Sequence, residues 1–136
     1  MDMAQLQQLY DFTESDFLGL SVGDGTQVLT LSLDYYWNLG REGQPGSLGP
    51  SQPIRVVFTA CRKVLVLNDR GYLDSGGSGG VPQTVISWGD ATSVELFRDH
   101  CSDLDTGEMA INFQVAGPGG DSRIMVVCRD VLVEQE

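Results

Sequence analysis

Apolar residues at every second position, cut into short runs by glycine and proline, constrain this chain more than any other feature. Alternation sends successive side chains to opposite faces of a pleated strand, so such a run can bury one face and leave the other in water. Leu29, Leu31, Leu33 and Tyr35 load one face, with Val28, Thr30, Ser32, Asp34 and Tyr36 on the other. Before them Leu18, Leu20 and Val22 share a face, and the turn formers Gly23, Asp24 and Gly25 predict a hairpin between the two runs. Further on, Ile54, Val56, Phe58 and Ala60 are in phase, followed by Lys63, Leu65 and Leu67 against Val64 and Val66. Gln83–Trp88 and Ser93–His100 read as two more strands, the second with Val94 and Leu96 opposite Glu95 and Phe97. Met109, Ile111, Phe113 and Val115 mark a strand that a glycine-rich turn joins to a closing strand at 122–134.

About seven to nine strands of this kind predict an all-β, mainly antiparallel fold, a sandwich or partly open barrel with at most one short N-terminal helix. That helix is expected at Met3–Tyr10, where Leu6, Leu9 and Tyr10 make one stripe and Asp2 can cap the first turn. With 136 residues, 41% of them hydrophobic, the chain is read as one domain, 1–136. Two glycine-rich stretches, 38–53 and 74–82, read as loops. The first is long enough that a site would be sought there.

Nineteen acidic residues oppose eight basic ones, for a net charge of −11. Nucleic-acid and anionic-membrane binding draw on Lys and Arg, so such a balance argues against both and leaves a basic protein as the partner to expect. Three cysteines, Cys61, Cys101 and Cys128, form no paired motif and suit a reducing cytoplasm. Cys61 and Cys128 sit in apolar runs and read as core, whereas Cys101 reads as the exposed thiol. The N-terminal text carries acid where a signal peptide carries base, and no run approaches the roughly 18 apolar residues of a membrane helix.

Catalytic patterns are weak. Gly76–Gly80 spells a nucleophile elbow around Ser78, but Val81 and Pro82 follow where the motif needs a helix. The stretch Arg98–Glu108 gathers potential metal ligands, yet counting a calcium loop from Asp103 puts Gly107 where a fifth-position ligand belongs. Adjacent His100 and Cys101 cannot both point into a zinc site from a strand. A solvated acidic turn is the reading adopted, with weak calcium binding as its alternative and no cofactor expected.

Two segments carry a resemblance. The lead-in Tyr10–Val22 and the closing strand with its acidic tail, Arg123–Glu136, look like those of small bacterial β-proteins of the toxin-immunity type, although Thr13 stands where such families often have histidine. The resemblance implies binding without catalysis, with acidic groups meeting a basic toxin. The expected function is therefore a non-enzymatic protein-interaction domain. Its candidate surface joins the acid patch Glu95, Asp99, Asp103, Asp105 and Glu108 to aromatic anchors Tyr36 and Trp37. An alternative is a barrel that takes small apolar ligands through a mouth lined by Tyr35, Trp37, Trp88 and Phe97. A third is an enzyme using carboxylates or a metal. Open sheet edges leave room for a homodimer.

Overall fold

The computed structural model describes residues 1–23, 27–37, 48–68, 83–117 and 120–135. Helix α1 (Met3–Leu9) precedes β1 (Asp16–Val22), β2 (Leu29–Trp37), β3 (Leu48–Thr59), β4 (Lys63–Asn68) and β5 (Gln83–Asp90). Two 3-10 segments, Ala91–Ser93 and Glu95–Cys101, lead into β6 (Met109–Gly117), β7 (Gly120–Cys128) and β8 (Asp130–Gln135). The strands form one antiparallel sheet in the order β4-β7-β6-β5-β1-β2-β3-β8. The expected all-β antiparallel class with one short N-terminal helix is the observed one.

Register explains how this sheet encloses a core. β3 ends with Thr59 opposite Asp130, and β4 begins with Lys63 opposite Val127. Between these pairs the Arg129 amide donates to Thr59 O at 3.2 Å and the Arg62 amide to Val127 O at 2.9 Å. The terminal strands β4 and β8 are thus continuations, around one shared corner, of β3 and β7. Ala60 turns the corner at φ 52°, the left-handed region that an L-alanine enters only at a cost of about 1 kcal/mol. The sheet curls accordingly, and the inward faces of β2, β3, β5, β6, β7 and β8 meet in one core with Leu6 of α1 and Phe12.

The alternation read from sequence holds for Leu29, Leu31, Leu33, Tyr35, Ile54, Val56 and Phe58, all buried. β1 departs from it. Phe17 pairs with Leu33 and Gly19 with Ser32, so Leu18 is the extra residue of a bulge. Phe17 therefore enters the core while Leu18 is 47% exposed, and Val22 at the strand end is 71% exposed. Ala60, expected inward, is exposed because of its left-handed backbone. Strand character begins at Leu48, inside the stretch read as loop, and the closing strand is two strands split at Arg129. Residues 38–47 of the first loop and all of 74–82, Ser78 included, lie outside the described residues. The N-terminal helix stands as expected: the Gln5 amide donates to Asp2 Oδ1 at 2.8 Å and the Asp2 amide to Gln5 Oε1 at 3.0 Å, a reciprocal cap.

The strand expected at Ser93–His100 is not one. Val94, Phe97 and Cys101 are spaced three and four apart, a helical rather than an alternating period, and they turn inward together on 3-10 geometry. Asp90 starts the first of these segments by accepting the Thr92 amide at 2.9 Å. Cys101, expected exposed, is buried with its thiol 3.8 Å from Met125 Sδ.

Candidate functional site

The acidic stretch lies over the outer face of β6, β7 and β4. Ala91, Phe97 and Cys101 pack on Ala110, Met125 and Val127 as a second apolar cluster, edged by Leu65, Val94 and Leu104. With those side chains held beneath, the rest of the stretch is fixed by cations from the corner of the sheet. Arg62 donates from Nε to Glu108 Oε2 at 2.9 Å and from Nη2 to Oε1 at 3.0 Å, a forked geometry that a lysine could not supply. Its Nη1 also reaches Asp103 Oδ2 at 3.2 Å. Lys63 Nζ donates to His100 O at 3.0 Å and to Asp103 Oδ1 at 3.4 Å. Arg129 donates to Thr106 O at 3.1 Å and stands 3.8 Å from an Asp105 oxygen. The intervening turn needs Gly107 at φ 88°.

This clamp changes what the five carboxylates of the patch can do. The Arg62 guanidinium, by direct hydrogen bonds, holds the carboxyls of Glu108 and Asp103 below the usual carboxylate range, and they in turn raise the guanidinium further. Glu108 is almost wholly covered, its side chain 2% exposed, and accepts the Asp105 amide at 2.9 Å as well. Asp103, Asp105 and Glu108 are therefore spent on internal ion pairs. Glu95 and Asp99 remain exposed on the 3-10 segment, and between them Leu96 is 52% exposed. Residues three apart eclipse one another in a 3-10 helix, so Leu96 and Asp99 form one short row.

Tyr36 and Trp37 stand elsewhere. Trp37 pairs with Leu48, at the far end of β3 from Thr59 and the clamp. That 12-residue strand spans roughly 36 Å, so the aromatics and the acid patch are two places and not one surface. For these two residues only the backbone is described.

Of the four residues expected at a barrel mouth, the three whose side chains are described do not line one opening. Tyr35 is 2% exposed, and its hydroxyl accepts the Asp11 amide at 3.2 Å. With Trp88 it surrounds Phe12, at ring separations of 5.9 and 4.6 Å, whereas Phe97 belongs to the second cluster. A cleft of about 170 Å³ opens instead beside the corner, among Val22, Val28, Leu29, Cys61, Lys63 and Val64. It is well under the roughly 300 to 1,000 Å³ of a small-molecule site. Among the described residues no group of three or more His, Cys, Asp or Glu is arranged to hold a metal ion. No helix among them is long and apolar enough to cross a membrane.

Sequence reasoning missed Arg62, Lys63 and Arg129, the cations that neutralise the turn. Their only signal was scarcity, three of eight basic residues flanking two apolar strands. Among known proteins, no family model matches the chain and no curated protein matches it significantly.

Proposed function

We propose that this chain is a non-enzymatic, acidic protein-interaction domain that presents Glu95, Leu96 and Asp99 to a basic protein partner. One observation carries the reading: these side chains project from a segment pinned beneath by Phe97 and Cys101 and at its far end by the Arg62 clamp. A row so fixed has lost its conformational freedom before any partner arrives, which lowers the entropic cost of binding. Leu96 offers an apolar anchor, and the two carboxylates beside it offer steering. The rest of the molecule adds to the attraction. Arg55, Arg62, Lys63 and Arg129 each face a carboxylate within the fold, leaving the acidic excess outward.

Neutralisation of a basic toxin in the bacterial cytoplasm is the specific role that fits this surface and the segments resembling immunity proteins. Tyr36 and Trp37, at the other end of β3, stand outside this contact. Affinity capture from the native host with the immobilised full chain tests the reading. A basic protein should be retained at about 50 mM salt and released at about 500 mM. The double variant Glu95→Lys with Asp99→Lys should cut retention on the order of tenfold or more. Absence of any retained basic protein, or retention equal for the wild type and the variant, rejects it.

A further inference from the structure

The sheet ends in two strands, β4 and β8, and among the described residues they are guarded differently. β8 carries Asp130 and Glu134, and the Met1 ammonium binds both the Asp130 carboxylate and Val131 O. Charged residues and a covering segment are the usual means by which a sheet edge avoids pairing with another chain. β4 has neither. Among the described residues it is hydrogen-bonded to β7 alone, and Cys61–Asn68 contains no carboxylate. Val64 and Val66 pair with Val126 and Ile124, so they continue the face that those residues bury completely. Yet Val64 is 42% and Val66 36% exposed, with Leu67 at 38% on the other face and Val22 bare beside them. Among the described residues the apolar layer of the core thus runs out to a strand with one neighbour.

We propose that β4 pairs antiparallel with β4 of a second copy, joining the two sheets across a two-fold axis. The strand is its own complement. Pairing about Leu65 sets Val64 of each copy against Val66 of the other and Leu65 against Leu65, with Lys63 opposite Leu67 and no like charges in register. Electrostatics selects the same edge. Each molecule bears a net charge of −11, so two copies repel at most orientations, and β4 itself adds no carboxylate to that repulsion. Association should therefore strengthen with salt, the reverse of what binding a basic partner requires. The two proposals consequently fail separately.

Sedimentation equilibrium of the full chain is expected to show a species of twice 14.8 kDa that grows from about 50 to about 500 mM salt. Amide exchange at 63–68 should slow as protein concentration rises. Val64→Lys with Val66→Lys brings lysines opposite one another and should weaken association on the order of tenfold or more, while Leu132→Lys on β8 leaves it unchanged. A 14.8 kDa particle at every concentration and both salts overturns the proposal, whatever other strand the edge accepts. So does a dimer that survives the double variant and is lost in Leu132→Lys. Should the double variant fail to fold, the wild-type exchange decides: concentration-independent rates at 63–68 overturn it.

Discussion

β8 and β4 grow from the same corner, pair with neighbours equally well, and end the sheet in opposite ways. At β8 Met1 ties to the strand, and the segment that it anchors goes on to close the core, where Leu6 enters and Phe12 sits fully buried among Tyr10, Tyr35, Trp88 and Phe113. At β4 the apolar layer meets solvent. The contrast teaches that an identical ladder does not make an identical edge. What lies across the ladder, and the sign of charge along it, decide whether the strand is finished or waiting.

The largest effect should come from opening the finished side. Phe12→Ala removes a fully buried ring packed at 4.6 to 6.0 Å from four aromatic neighbours and should cost about 3 to 5 kcal/mol in urea unfolding. Val64→Ala, at 42% exposure on the open side, should cost under about 1 kcal/mol. Equal costs would erase the contrast.

A pH profile of stability should divide the molecule next. Burial pushes the Tyr35 phenol from its ordinary 10 up to about 12 and the Cys128 thiol from 9 up to about 12, so folding favours their neutral forms. That stabilisation is whole below the ordinary values and drains away as pH rises from 9 to 12, on the order of several kcal/mol between the two groups. The clamp behaves oppositely. Asp103 and Glu108 are held below their ordinary range, so their contribution is present above about pH 4 and is lost as pH falls through their folded values. Cys128→Ala should therefore make the alkaline limb shallower, with Tyr35 supplying what remains, and Arg62→Ala should flatten the acid limb, each leaving the other untouched. Thermal unfolding across pH measures both.

Much of this was legible in the sequence, and the misreadings have physical causes. β2, β3 and β6 declared themselves because each contrasts an oily face with a mixed one over many residues. Leu18 misled because a bulge shifts the phase of β1 without an apolar residue to mark it; only Gly19 stands there. The run Val94–Phe97 is too short to separate two periods, and the deciding partner, Cys101, reads locally as a surface thiol. The acid patch was visible as a cluster, but its neutralisation depends on Arg62, which lies 46 positions from Glu108 in sequence and meets it only through sheet register. Edge status was unreadable for the same reason: no local text tells that, among the described residues, β4 has one neighbouring strand and β3 two.

The smallest expected change in stability is also the sharpest question about the two edges. Asp130→Val with Glu134→Val strips β8 of its carboxylates at exposed positions, where the Arg55–Glu134 pair at 3.3 Å contributes little in water. Thermal unfolding should move by a few degrees at most. Association is where the variant should differ, because β8 would then resemble β4 in lacking carboxylates, and species larger than the wild-type assembly should appear in light scattering. If they do not, carboxylates are not what protects β8. The protection then falls to the Met1 ammonium, which loses its Asp130 partner in this variant and is left with the Val131 carbonyl, and the difference between the two edges becomes one of covering rather than of charge.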